Sequence, residues 1–253
     1  MIFDLINYWL KAKNAHGIHS PFVYEFYTQV YKSKSVYSNN IESLRRELKN
    51  STAIVSIKDF GAGSKVNASN KRTVGDIARK SLKSPFYSAF LYRIIQHYTY
   101  EEVLELGTSL GLTTAYLSEA SPKGKIYTLE GCKETLDVAK DNFNRLHLKN
   151  IHTIEGNIDY TLPELLKEVP RLDCVLFDAN HRYEPTLRYF EACLEKAHEK
   201  TAFIFDDIYW SKEMKNAWQS IVLDPRVSIS MDFYQMGLVF FNKGVRKQHF
   251  VLK

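Results

Sequence analysis

From about residue 85 onward, apolar runs alternate with amphipathic helical patterns five times in succession. VLEL (103–106), KIYTLE (125–130), IHTIEG (151–156), LDCVLFD (172–178) and TAFIFDD (201–207) have the length and apolar content of strands. Helix-like stretches follow them in order: TTAYLSEA, TLDVAKDNFNRL, TLPELLKEV, PTLRYFEACLEKA and KEMKNAWQSIVL. Consecutive parallel strands need a crossover, usually a helix, so this alternation points to a doubly wound, Rossmann-like α/β sheet, mostly parallel and covered on both faces. The rhythm breaks near the end. VSISMDFY and MGLVFFN are joined by a connection too short for a parallel crossover, which makes the last strand antiparallel.

The first 84 residues have another texture and read as an N-terminal helical cap on a domain spanning 85–253. Ser20-Pro21 in HGIHSPFVYEFYTQVYK supplies an N-cap and a first-turn proline, and IESLRRELKN reads as a second helix. GAGSKVNASNKR is polar and Gly- and Ser-containing, a loop. At the very start, Ile2, Leu5, Ile6, Trp9 and Leu10 share one helical face. That face suits packing on the protein's own core or against a partner subunit in a homodimer. An interfacial membrane helix would carry more basic residues on its polar side.

Composition removes several function classes. A net charge of +5, with Lys and Arg interleaved among Asp and Glu, does not ask for nucleic acid. No run is long enough to span a bilayer and no secretory signal is readable. Three widely spaced cysteines, Cys132, Cys174 and Cys193, form no zinc pattern or disulfide framework, so the expectation is a reducing compartment, the cytoplasm.

Two glycine-containing loops compete as ligand sites. DFGAGS (59–64) is followed by a polar loop and reads as a turn. ELGTSLG (105–111) follows a strand and opens a helix, whose first N–H groups and positive dipole end favour an anionic ligand. The next strand ends in Glu130, where a carboxylate can accept both ribose hydroxyls of an adenosine.

The loop reads G-x-S-x-G through Gly107, Thr108, Ser109 and Gly111, preceded by Glu105, rather than the G-x-G-x-x-G of dinucleotide folds. It resembles the first motif of class I S-adenosylmethionine-dependent methyltransferases, whose antiparallel last strand it shares. The resemblance covers roughly 85–253 and implies S-adenosylmethionine as cofactor. It further implies Glu130 as the ribose acid and Gly156-Asn157 as the turn near the adenine. Asn157 departs from that family's usual Asp. An NAD-binding oxidoreductase is disfavoured by the missing third glycine.

Two strands end in acids: Asp178 after LDCVLF and Asp206-Asp207 after TAFIF. In a parallel sheet such ends share the carboxyl edge, and converging carboxylates are tolerated when solvated or when they share a hard cation, Mg²⁺ first. The pattern resembles the cation-dependent O-methyltransferases, which implies Asp178, Asp206 and Asp207 as metal ligands, with Asp178 also beside the cofactor. Many members of that family carry a Lys three residues after the first ligand. Here His181 stands there, as in a branch acting on sugars and antibiotics, which implies His181 as general base with Asp178 beside it. Asp206-Asp207 also reads as an N-cap and dipole partner for the next helix, and His181 as a loop hydrogen-bonder. Tyr183 and Trp210 suit packing or a pocket wall. The expected substrate is a small hydroxylated molecule.

Overall fold

A computed structural model describes residues 2–35, 37–57 and 71–253. The DFGAGS turn lies outside the described residues. The chain forms two compact units, Met1–Lys32 with Leu165–Lys253, and Ser33–Glu164.

The chain begins with α1 (Ile2–Lys11) and α2 (Pro21–Glu25), and α2 runs into a π-helical turn at Phe26–Tyr31. Ser20 and Pro21 occupy the expected N-cap and first-turn positions. The apolar stripe on α1 does not go into the protein's own core: Leu5, Ile6, Trp9 and Leu10 are all exposed. The helix is held instead by Tyr8, which lies off the stripe. Tyr8 is buried and its hydroxyl donates to the Leu252 carbonyl. Asp4 adds an ion pair to Lys215 at 2.7 Å. A tyrosine can bury its ring and still reach a carbonyl, which the aliphatic stripe cannot do.

Ser33–Glu164 contains α3 (Asn39–Lys49), the hairpin β1 (Ile54–Ser56) and β2 (Lys71–Thr73), α4 (Val74–Ser81) and α5 (Pro85–Tyr98). These lead into β3 (Glu102–Leu106), α6 (Leu112–Ala120), β4 (Lys125–Glu130), α7 (Lys133–Arg145), β5 (Ile151–Glu155) and the start of α8 (Ile158–Glu168). Strands β3, β4 and β5 pair in parallel. Ile41, Leu44, Leu48, Ile77, Leu112 and Tyr116 form part of one buried cluster, which packs α3 and α4 against α6. Inside this apolar surround sits Arg45, whose Nε binds both Glu42 carboxylate oxygens at 3.1 and 3.0 Å. Tyr116 of α6 donates to the same Glu42 at 2.8 Å. A buried guanidinium is tolerable only when paired and hydrogen-bonded in this way.

The C-terminal stretch adds β6 (Cys174–Phe177), α9 (Tyr183–Leu194), β7 (Ala202–Asp206), α10 (Lys212–Leu223), β8 (Ile229–Asp232), β9 (Met236–Phe240) and β10 (Gln248–Val251). The eight-stranded sheet has the order β10-β8-β9-β7-β6-β3-β4-β5. β6 and β7 are parallel, and β9 is antiparallel to both its neighbours, as its short connection to β8 required. This is the Rossmann-like, mostly parallel topology expected from the alternation. Strand β10 was unread in the sequence. It pairs in parallel with β8 and is secured by Lys13, whose N–H donates to the Val251 carbonyl at 2.8 Å. Cys132, Cys174 and Cys193 are all free and buried. No described helix is long and apolar enough to cross a membrane.

Candidate active site

The loop after β3 alternates its backbone hand. Gly107, Ser109 and Gly111 have φ of 101°, 50° and 80°. A side chain on Gly111 would also collide with Phe143, since its Cβ would lie 2.5 Å from Cε1. Gly111 therefore serves two needs, a left-handed turn into α6 and close packing of α6 on α7. The turn is tied to the next strand: Gly107 and Thr108 donate to the Leu129 carbonyl at 2.9 and 3.2 Å.

Two acids flank this loop in different states. Glu130, at the end of β4, accepts from Ser109 N–H at 2.9 Å and from Cys132 N–H at 2.9 Å. Glu105 is fully buried. Its Oε2 accepts from the hydroxyls of Thr114 and Thr128, the latter at 2.7 Å, while its Oε1 is buried with no hydrogen-bond partner. Burial pushes the Glu105 carboxyl up to about 7, against the pull of the two hydroxyls and of Lys83. Gly156 has φ 137° and its N–H donates to the Glu130 carbonyl at 2.9 Å, so the third strand end is tied to the second. Asn157 opens α8, its side chain accepting from Asp159 N–H at 3.0 Å.

In the other unit, Asp178 follows β6 directly. Asn180 and His181 both have positive φ, 66° and 36°, and His181 N–H closes a tight turn onto the Ala179 carbonyl at 2.8 Å. This turn brings His181 Nε2 to 3.8 Å from Asp178 Oδ1. Asn180 is pinned by its own amide, which donates to the Tyr189 hydroxyl at 2.7 Å. On the neighbouring strand, Phe177 is in register with Phe205, so Asp178 and Asp206 follow at matching positions. Asp206 is buried and Asp207 has φ 53°. Left-handed conformations at Asn180, His181 and Asp207 cost energy that the surrounding structure must hold, and such positions cluster at functional sites. Trp210 and Tyr183 beside them are exposed.

Residues 104–208 match a methyltransferase domain family. The chain is 30% identical over 128 residues to a catechol O-methyltransferase from Niastella koreensis, covering 49% of this chain and 57% of that relative. It is 32% identical over 80 residues to a protein-L-isoaspartate O-methyltransferase from Pyrococcus horikoshii, covering 32% of this chain and 36% of the relative. The chain thus matches 57% and 36% of the length of these two curated relatives. Among solved structures, an SAH-bound methyltransferase from Podospora anserina has TM-score 0.65 at 14% identity, covering 90% of this chain and 100% of that one. An O-methyltransferase from Bacillus cereus in complex with SAH has TM-score 0.59 at 19% identity, covering 87% and 97%. At these identities the structural likeness is one of fold.

Within the matched residues 104–208 the structure brings Glu105 to Thr128, Ser109 to Glu130, and Asp178 to His181. It does not gather Asp178, Asp206 and Asp207 into a cation site: among the described residues no three His, Cys, Asp or Glu side chains are placed to hold a metal ion. Thr114 and Thr128, which hold Glu105, drew no notice in the sequence, although both lie one helical or strand step from the motif. His16 and His19 are exposed and belong to no such group.

Proposed function

We propose that this chain transfers a methyl group from S-adenosylmethionine to the hydroxyl of a small molecule, with His181 as general base and Asp178 as the carboxylate that orients it. The observation that carries this reading is the Asp178–His181 pair, held 3.8 Å apart by a strained turn at the end of β6. Bound S-adenosylmethionine supplies an electrophilic methyl on a positively charged sulfur. The residues that would hold it are Glu105, Gly107, Thr108, Ser109, Gly111, Glu130, Gly156 and Asn157. A carboxylate accepts up to about four hydrogen bonds, so Glu130 can take ribose hydroxyls in addition to its two backbone donors. Asn157 spends its side-chain oxygen on α8 and has its amide left for the base.

As the substrate oxygen bonds to the methyl carbon, the carbon–sulfur bond breaks and the hydroxyl proton passes to His181 Nε2. The products are the methyl ether, S-adenosylhomocysteine and an imidazolium. Asp178 stabilises that imidazolium, and a neutral His can act this way near neutral pH. The direct test is label transfer from methyl-tritiated S-adenosylmethionine to a library of small phenols, sugars and alcohols. Cofactor binding without any methylated product would leave a binding protein. The division into a cap over 1–84 and a catalytic domain over 85–253 belongs to this proposal, as do a homodimer and a cytoplasmic location.

A second reading adds a divalent cation, Mg²⁺ first, on Asp178, Asp206 and Asp207. The matching register of Asp178 and Asp206 on adjacent parallel strands favours it. The side chains as arranged do not form a three-ligand set, so no step here is routed through a metal. EDTA treatment separates the two readings: a loss of less than about twofold would keep the metal-free one, against the several kcal/mol that an acting Lewis acid supplies. Activity abolished by EDTA and restored by Mg²⁺ would move the assignment to the cation-assisted reading.

A further inference from the structure

The turn that carries His181 needs outside support. Asn180 and His181 are consecutive residues at positive φ, 66° and 36°. Asn tolerates the left-handed region better than most residues, but two such residues in a row, neither of them glycine, do not persist on local preference alone. Inside the turn, His181 N–H reaches the Ala179 carbonyl at 2.8 Å. A bond between residues two apart shapes the turn without tying it to its neighbours.

Two further bonds bracket His181. After it, Tyr183 N–H donates to the Glu213 carboxylate of α10 at 3.0 Å, at the surface, where water competes for both partners. Before it, the Asn180 amide donates to the Tyr189 hydroxyl at 2.7 Å. Tyr189 belongs to α9 and is only 3% exposed, with the Arg188 guanidinium over its ring at 5.6 Å from the centroid. Burying a phenol oxygen is costly unless it is hydrogen-bonded, and phenylalanine would fill the same apolar space without that cost. What tyrosine adds here is an oxygen at Asn180. Placement matters because the Asp178–His181 contact is marginal: at 3.8 Å it lies within ion-pair reach and beyond hydrogen-bond length. Misplacing a reacting group by about 1 Å can cost about 10²-fold in rate.

We propose that Tyr189 is a positioning residue for methyl transfer: through Asn180 it sets where the His181 imidazole stands relative to Asp178 and the acceptor oxygen. This rests on the reading of His181 as general base and adds a residue of α9 to it.

The test uses Tyr189→Phe, which keeps the ring and removes the oxygen. The first readout needs no ligand. In protein labelled with nitrogen-15 histidine, the His181 ring signals are identified among the eight histidines by their loss in His181→Ala. They should shift in Tyr189→Phe while the other histidine signals hold. The second readout is label transfer to the best acceptor of the library above. In Tyr189→Phe kcat should fall about tenfold or more, with S-adenosylhomocysteine affinity within about twofold of wild type. Adding Tyr189→Phe to His181→Ala should slow it no further, because the tyrosine acts only through the histidine. Asn180→Gly, which adopts the left-handed turn without a side chain, should make Tyr189→Phe silent in the same way. An unshifted His181 signal, a wild-type kcat in Tyr189→Phe, or a loss that persists in the His181→Ala background would each overturn the proposal. If His181→Ala itself kept kcat within about threefold, the base reading would fall and take this one with it. An inactive His181→Ala beside an unshifted ring would sink Tyr189 alone.

Discussion

Replacing His181 by alanine should lower kcat by about 10²- to 10⁴-fold, the usual contribution of a positioned general base. The affinity for S-adenosylhomocysteine should not change, because the residues assigned to the cofactor are others. The argument begins in the backbone. Asn180 and His181 both sit at positive φ, which non-glycine residues avoid, and the turn is fixed by the Asn180 amide on Tyr189. That strain buys one thing visible in the structure, the approach of the imidazole to Asp178 at 3.8 Å. The distance is that of an ion pair and longer than a hydrogen bond, and catalytic contacts of this kind commonly tighten when substrate is bound. Asp178→Asn should then lower kcat less than His181→Ala, since it removes the orienting charge and leaves the base. A pH–rate profile separates a base from a structural histidine: the ascending limb of kcat should vanish in His181→Ala. If kcat kept its pH dependence and fell less than about threefold, His181 would not be the base.

How much of this was legible in the residues follows from which interactions are local. Glu130, Asp178 and Asp206 were readable because each terminates a short apolar run in a β-α alternation, and Glu105 because it precedes the glycine loop, patterns that need no knowledge of distant contacts. The antiparallel β9 followed from connection length alone. β10 did not, because QHFV is short and mixed in polarity, and its pairing depends on β8 and on Lys13, far away in the chain. The same holds for α1: helical periodicity found its apolar stripe, but Tyr8, outside the stripe, decides how the helix is held. Lys83 looks in sequence like any surface lysine. Its burial depends on Arg45, thirty-eight residues earlier, and periodicity carries no sign of that. Side-chain convergence of Asp178, Asp206 and Asp207 is a finer matter than strand-end position. A common edge was readable from the parallel order, whereas a three-ligand geometry depends on rotamers and turn conformations such as the left-handed Asp207.

The second large effect concerns Glu105 and should have opposite signs on stability and on binding. Burial pushes this carboxyl from 4.5 up to about 7, with Thr114, Thr128 and Lys83 opposing the rise and Glu130 adding to it. Between these two values the folded chain holds a proton that the unfolded chain has lost. Stability therefore falls as pH rises from 4.5 to 7 and stays lowered above that range. The shift corresponds to about 1–3 kcal/mol after allowance for relaxation around a buried group. Glu105→Gln removes the titration. Its melting temperature should be flat across this window where that of the wild type declines. The slope is the diagnostic quantity, because any misfit of the new amide is the same at every pH. Cofactor binding should respond the other way. The ionised carboxylate is the form that accepts from an ammonium, so wild-type affinity should strengthen as pH rises through 7 and binding should release protons, detectable in buffers of different ionisation enthalpy. Glu105→Gln should bind S-adenosylhomocysteine about 10- to 100-fold more weakly at pH 8, as for other losses of a charge-assisted bond, and release no proton. A variant with unchanged affinity and an unchanged stability slope would make Glu105 a plain buried acid, held through one oxygen by its two threonines.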